Sequence, residues 1–226
     1  MRTPRQIRPY GPTALLLDWE QRIAPDISAS VHAWAAAARG LGGVVETVPA
    51  YASLLVRYDP ALTTPYALRE RLYELRPPAG LVPGHAHRLP VCYDGPDLDA
   101  VAELTGLTPD AVVERHAGVI YRVYQLGFLP GFAFLGQTPV ELTVPRRTQP
   151  RVRVAAGAVG LAGRQTGVYP TASPGGWQLI GRCPLPLLRA GADPVRLRAG
   201  DTVEFYPVTT QRFAALTQKP LPWPTR

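Results

Sequence analysis

Between Leu142 and Ala192 the chain carries seven arginines and no aspartate, glutamate, histidine or lysine. Four of them, Arg146, Arg147, Arg151 and Arg153, fall within eight residues. Guanidinium is planar, forked and permanently charged, so such a cluster suits a bidentate grip on a carboxylate or phosphate as well as it suits a solvated strand face. Just downstream, residues 157–181 pack glycines and prolines around Gln165, Thr166, Tyr169, Ser173 and Gln178. Glycine permits tight turns that present backbone N–H groups, and the side chains between them are neutral donors and acceptors. Together these residues could hold a small polar or anionic ligand. Arg147 and Arg151 would meet its charge, and Gln165, Thr166, Tyr169 and Ser173 its polar atoms. They could not move its protons unaided: general acid–base catalysis needs a group that titrates near neutral pH, and here only Tyr169 and Cys183 titrate at all. The histidine nearest this stretch is His116, the one candidate for catalytic acid–base help. The segment reads as half of a site.

The elements that must position these residues follow from periodicity and punctuation. Residues 5–10 and 14–19 read as short strands about a Gly11-Pro12 turn. A helix comes next, capped by Asp26 or Ser28, with Ile27, Val31, Trp34, Ala35 and Ala38 on one face. Residues 44–48 and 53–58 pair as strands, and Thr64 with Pro65 opens a second helix that turns Leu68, Leu72 and Leu75 inward. This order suggests an α+β sandwich of about 80 residues. The Pro- and Gly-rich residues 77–84 read as a linker, which divides the chain into domains 1–84 and 85–226. His85 and His87 follow as exposed imidazoles on a flexible joint; with no third ligand nearby, no metal site is predicted.

A strand is predicted over residues 88–93, then a helix over 98–105 capped by Asp97 and ended by Gly106. Thr108-Pro109-Asp110 opens another, which ends at His116, where the helix dipole favours imidazolium. A strand over 119–126 leads into a glycine-framed run whose Phe128, Phe132 and Phe134 form either a small core or the apolar wall of a pocket. Residues 195–197 and 202–207 flank Arg198-Ala-Gly-Asp201 as a hairpin. From residue 117 onward, short strands and Gly/Pro turns predict a barrel or sandwich, and residues 220–224 an irregular tail.

Composition sets outer bounds. A chain of 226 residues buries roughly 70% of its unfolded surface and needs no staples. The net charge of +7 invites a nucleic-acid partner, but the basic residues are 23 arginines and Lys219, spread without a tail or an aromatic-interleaved stripe, so none is predicted. Cys92 and Cys183 match no metal spacing and are expected as free thiols. The N-terminus lacks the apolar core of a signal peptide and no run is long enough to span a membrane, so a cytoplasmic protein with no membrane partner is expected. Lys219 lies between Gln218 and Pro220, which rules out a phosphate loop, and no G-x-S-x-G elbow occurs.

Several short blocks stand in one order: Gly95-Pro-Asp-Leu98, Gly127-Phe-Leu-Pro-Gly-Phe132, Pro145-Arg-Arg147, Pro150-Arg151, Gly163, Gln165-Thr-Gly167, Tyr169-Pro170 and Ser173-Pro-Gly-Gly-Trp-Gln-Leu-Ile-Gly-Arg182. In these blocks the chain resembles the B subunits of bacterial 5-oxoprolinases, a family with carboxyltransferase C and D subdomain character that also includes allophanate hydrolase subunit 1 and sporulation-kinase inhibitors. The resemblance covers residues 91–207. It implies a ferredoxin-like N-terminal domain and a cyclophilin-like β-barrel behind it; the barrel likeness is one of shape, and prolyl isomerase activity does not follow from it. It further implies pairing with the A and C subunits of 5-oxoprolinase, the latter carboxyltransferase-like, in machinery that opens 5-oxo-L-proline to L-glutamate with ATP bound in the assembled complex. The family's other members imply two alternatives, inhibition of a sensor histidine kinase and an allophanate or urea amide-hydrolysis role. The chain departs from the family pattern at Ala155, Ala158, Arg164 and Cys183, and Arg164 is the departure placed to alter a ligand.

Overall fold

The computed structural model describes residues 1–77, 84–191, 194–219 and 223. The chain separates into two units, Met1–Pro83 and Gly84–Arg226. Most of the linker segment and the tail around Trp223 lie outside the described residues.

In the first unit, strands β1 (Gln6–Pro9) and β2 (Ala14–Asp18) precede helix α1 (Pro25–Ala38), strands β3 (Val44–Pro49) and β4 (Ser53–Tyr58), and helix α2 (Pro65–Glu74). The sheet runs β1-β2-β4-β3, antiparallel throughout. Alternation puts Leu15, Leu17, Leu54 and Val56 on one face at 0% exposure, where Ile27, Val31 and Trp34 of α1 and Leu68 and Leu72 of α2 cover them. The Thr64 cap forms as expected: its Oγ1 accepts from the Ala67 amide at 3.2 Å, with Pro65 at the first helical position. The first helix does not follow its predicted cap. Pro25 starts it, Ala24 holds the cap position without a side-chain bond, and Asp26 instead pairs with Arg2 at 2.6 Å.

The second unit holds β5 (Ala86–Val91), α3 (Leu98–Thr105), α4 (Pro109–Ala117), β6 (Ile120–Leu126), β7 (Ala133–Gly136), β8 (Arg151–Val154), β9 (Ala158–Ala162), β10 (Gln165–Val168), β11 (Ser173–Gly175), β12 (Gln178–Arg182), β13 (Thr202–Pro207) and α5 (Thr210–Gln218). Seven strands form one mixed sheet, β12-β9-β10-β7-β6-β13-β5. The sheet curls until its ends meet: Cys92, just past β5, bridges Arg182 of β12 through N–H···O bonds of 2.9 and 2.8 Å. β8 and β11 make a separate two-stranded ribbon.

Every residue of β9 is buried, which is how a strand covered on both faces reads. Val159 and Leu161 enter the main core with Leu89, Tyr121, Leu135, Val203 and Phe205, against Val101 of α3 and Val112 of α4. Ala158 and Ala162 face the other way, into an aromatic cluster of Phe132, Tyr169 and Trp177. The predicted hairpin about Arg198 and Asp201 does not form: β13 pairs parallel with β5 and antiparallel with β6, while Val195 bridges Leu188. Helix α5 breaks no sequence rule, since Thr209 Oγ1 accepts from the Arg212 amide at 3.2 Å as a cap, but its apolar face is thin and only Leu216 is buried.

Candidate functional site

The aromatic cluster opens into a cleft of about 430 Å³ in the second unit. Phe128, Phe132, Phe134, Tyr169 and Trp177 wall it, Pro174 to Gly176 close one side, and Arg146 stands on its exposed rim. The rings pack edge to face, Phe132 lying 5.2 Å from Tyr169, 5.5 Å from Trp177 and 4.9 Å from Phe134 between centroids. The Gly127–Phe132 turn aims them, with the Gly127 amide donating to the Phe132 carbonyl at 3.1 Å. Phe128 in that turn is 62% exposed and holds φ at +69°, a left-handed conformation that costs a residue with a Cβ about 1–2 kcal/mol. Exposure and strain in one aromatic at a cleft mouth make Phe128 a candidate ligand contact.

Glycine is required at Gly175, where a Cβ would sit 2.4 Å from the Tyr169 hydroxyl. That close approach seats the phenol under the loop that follows Ser173. Burial pushes the Tyr169 phenol up in pKa, against the Trp177 backbone amide and the charges of Arg146 and Arg151, which pull it down. It is therefore a hydrogen-bonding group at neutral pH and not a base.

The other predicted binders lie elsewhere. Arg147 and Arg151 converge on Asp97: Arg147 Nη1 donates to Oδ1 at 3.0 Å and Arg151 Nη2 to the same oxygen at 2.7 Å. The second carboxylate oxygen accepts from the Leu179 amide at 2.7 Å, and Asp97, predicted as a helix cap, makes no side-chain cap bond. The anchor is tight because Gly95 approaches β12 closely; a Cβ there would lie 2.4 Å from the Leu179 oxygen. Arg147 and Arg151 thus have a carboxylate of their own, while the Arg147 amide donates to Gly176 on the cleft wall at 2.8 Å. Adjacent side chains divide: Arg146 faces the cleft and Arg147 faces Asp97.

Thr166 and His116 meet each other in the core, both at 0% exposure. The Thr166 hydroxyl donates to the Gly160 carbonyl at 3.0 Å, so its oxygen accepts from His116 Nε2–H at 2.8 Å. Nδ1 of His116 then accepts from the Tyr93 hydroxyl at 2.7 Å, and the ring stacks on Phe205 with centroids 4.8 Å apart. The expectation of an imidazolium at this helix end is overturned: burial lowers the His116 pKa to about 3, and both nitrogens are engaged as a neutral ring requires. His116 does not line the cleft. Ser173 is 8% exposed and its hydroxyl donates to the Pro174 carbonyl at 3.1 Å, shaping the cleft wall. Gln165 sits in β10 opposite Gly136 and Ala162 and outside the cleft lining. Arg164 donates to the Thr138 carbonyl at 3.2 and 3.3 Å, also away from the cleft.

Of the two histidines expected to be exposed, one is and one is not. His85 is exposed, but His87 is 4% exposed within β5, with Nε2 3.0 Å from Asp201 and Nδ1 accepting from Trp223 Nε1 at 2.9 Å. Among the described residues no group of three His, Cys, Asp or Glu side chains could hold a metal ion, and no helix is long and apolar enough to cross a membrane.

Comparison with known proteins agrees with this architecture. Residues 5–197 match the family described as carboxyltransferase domain, subdomain C and D. The B subunit of 5-oxoprolinase from Bacillus subtilis is 38% identical over 234 residues, 95% of this chain and 97% of that protein. Its counterpart from Escherichia coli O157:H7, also a 5-oxoprolinase B subunit, is 40% identical over 87% of this chain and 93% of its own. Among solved structures, TTHA0988 superposes with a TM-score of 0.77 at 38% identity, covering 87% of this chain. This chain spans 40% of the length of that one.

Proposed function

Because this chain belongs to the carboxyltransferase subdomain C and D family, with the B subunits of 5-oxoprolinases among its relatives, we propose that it is the B subunit of an ATP-dependent 5-oxoprolinase. The substrate is a five-membered lactam bearing one carboxylate, and opening its amide yields L-glutamate. Phe132, Phe134 and Trp177 offer the ring an apolar wall, Arg146 offers the carboxylate a forked donor, and Phe128 covers the mouth. Tyr169 forms the floor of this site, while Arg147 and Arg151, held by Asp97 outside the cleft lining, support its wall from behind. We assign Ser173 to shaping the wall. Gln165, Thr166 and His116 hold β10 in register with the sheet, and His116 acts as a positioning group.

The observation that carries the half-site reading is the lining of the cleft. Among the described residues that line it, the titratable side chains are an arginine and a phenol whose pKa is raised. Amide opening needs a group that delivers and removes protons near neutral pH, and this cleft supplies none. Those groups, together with ATP, come from the assembled complex, with its A subunit and its carboxyltransferase-like C subunit as partners. In the same proposal the first unit is ferredoxin-like, its N-terminal strand taking an edge beside β2, and the second is a cyclophilin-like barrel closed at Cys92 and Arg182.

Co-expression with its chromosomal neighbours, followed by an assay for ATP-dependent release of glutamate from 5-oxoproline, tests the proposal. Glutamate release is expected from the complex and not from the isolated chain. A complex active on allophanate but silent on 5-oxoproline, or recovery of a sensor kinase in place of enzyme partners, would sink it.

A further inference from the structure

Arg146 hangs on a backbone that is tied on both sides, and one of the two ties is a side chain. Gln178, 6% exposed at the start of β12, donates from Nε2 to the Pro145 carbonyl at 3.1 Å. The Arg147 amide donates to the Gly176 carbonyl at 2.8 Å. We infer that Gln178 is a positioning residue, which aims the Arg146 guanidinium at the ligand in the aromatic cleft. The inference rests on the reading of Arg146 as the partner of the substrate carboxylate.

A peptide group is planar, so two rigid planes meet at each Cα, and the rotations about it are the chain's soft degrees of freedom. The plane before the Arg146 Cα carries the Pro145 carbonyl, and the plane after it carries the Arg147 amide. Gln178 holds the first and Gly176 the second. Both backbone rotations at Arg146 are thereby set, and with them the direction of its Cα–Cβ bond. Anchors on either side confine this clamp to a short step. Upstream, Val144 is buried in the main core and its carbonyl accepts from the Gly163 amide at 2.6 Å. Downstream, Arg147 turns its side chain away to Asp97. Pro145 and Arg146 carry the chain from one anchor to the other, and Gln178 reaches into that step.

The chemistry of Gln178 agrees with this role. Its neighbours along β12, Leu179 and Ile180, are buried hydrocarbons, and an amide is costlier to bury than either unless it finds a partner. Trp177 lines the cleft and immediately precedes β12, so one stretch of chain supplies the wall and fixes the guanidinium on the rim. An arginine side chain has several rotatable bonds, and a fixed root reduces the freedom it surrenders on binding. Pro145 is exposed, so water can take over its carbonyl when the amide is lost. Loss of Gln178 therefore frees the direction of Arg146 without stranding a polar group, and shows in affinity more than in stability.

Kinetics of the reconstituted enzyme with 5-oxoproline test it. Gln178→Met keeps the length of the side chain and removes its donor. It is expected to raise KM about fivefold, leave kcat within about twofold and shift the melting temperature little. Gln178→Asn withdraws the amide by one methylene and should act alike, which guards against a Met variant that misfolds. On an Arg146→Gln background, either Gln178 variant is expected to change KM by less than about twofold, because the group it aims is gone. A residue that merely supports the fold would add its loss on that background too. A rise in KM that persists undiminished there overturns the proposal, as does a loss confined to kcat. Arg146→Gln that raises KM while both Gln178 variants leave it unchanged overturns the proposal and spares the reading of Arg146. Arg146→Gln that leaves KM unchanged overturns both.

Discussion

Asp97 is where single residues decide most. One buried carboxylate accepts from two guanidiniums and one backbone amide, so its removal strands a partly buried pair of positive charges and orphans the Leu179 N–H. Breaking a buried ion pair from one side costs about 3–5 kcal/mol, and the 24% and 36% exposure of the arginines lowers that. Asp97→Asn is therefore expected to destabilise the second unit by about 2–3 kcal/mol, read as a lower urea midpoint at pH 7; a shift below about 0.5 kcal/mol would show that Asp97 is no anchor. His116 makes a second residue-scale prediction. Its folded pKa, about 3, lies below the ordinary value of 6.5, so between those pH values the unfolded chain binds a proton that the folded chain refuses. Stability is then full above pH 6.5 and declines as pH falls toward 3, by about 1.4 kcal/mol per unit inside that window. Urea unfolding at about pH 7.5 and about pH 5 should differ by about 2 kcal/mol, and His116→Gln should flatten that difference. Neither role was legible locally. Asp97 precedes an apolar helical run as an N-cap does, but its arginine partners lie 50 and 54 residues away. His87 looked like half of an exposed H-x-H pair because Asp201, 114 residues on, cannot be seen from β5.

Elements were legible where their signals are local. Thr64-Pro65 and Thr108-Pro109 each announce a cap and a first turn, and both threonines accept the expected amide at 3.2 Å. Gly106 ends α3 with φ at +69°, the left-handed stop that a glycine after a helix suggests. Pairing was less legible. Residues 195–207 carry the turn chemistry of a hairpin, yet β13 finds its partners in β5 and β6, because two hydrophobic strands offer it a buried place and residues 195–197 are too short to compete. The cleft shows the same division. The phenylalanine run reads as either a small core or a pocket wall and turns out to serve as both, whereas the choice between Arg146 and Arg147 depends on which one Asp97 captures. The closure between β5 and β12 gives this scale its test. Gly95 lets the chain cross β12 so closely that an alanine Cβ would meet three backbone atoms at 2.4 Å each. Overpacking costs about 1–3 kcal/mol where side chains can yield, and backbone atoms yield least. Gly95→Ala is expected to cost about 3 kcal/mol or more by thermal denaturation; a loss under about 1 kcal/mol would mean that the crossing is loose.

At the scale of the whole molecule, a protein that binds without reacting should separate affinity from turnover. The cleft is formed from side chains packed within the second unit, so the isolated chain is expected to bind 5-oxoproline while releasing no glutamate. Arg146 would meet the carboxylate, which lies outside the amide that breaks, and its grip is the same before and during the reaction. Such uniform binding lowers KM without raising kcat. In the reconstituted enzyme Arg146→Gln should therefore raise KM for 5-oxoproline about tenfold or more and leave kcat within about twofold, the loss expected of one charge-assisted contact. Phe128→Ala should act in the same direction without lowering the melting temperature, since its ring is 62% exposed and packs only the cleft mouth. Arg153→Gln, exposed on β8 and outside the cleft lining, should leave both constants unchanged. A fall in kcat with KM unchanged for Arg146→Gln would place that guanidinium at the reacting amide instead, and glutamate release by the isolated chain would show that the second half of the site is already present in this polypeptide.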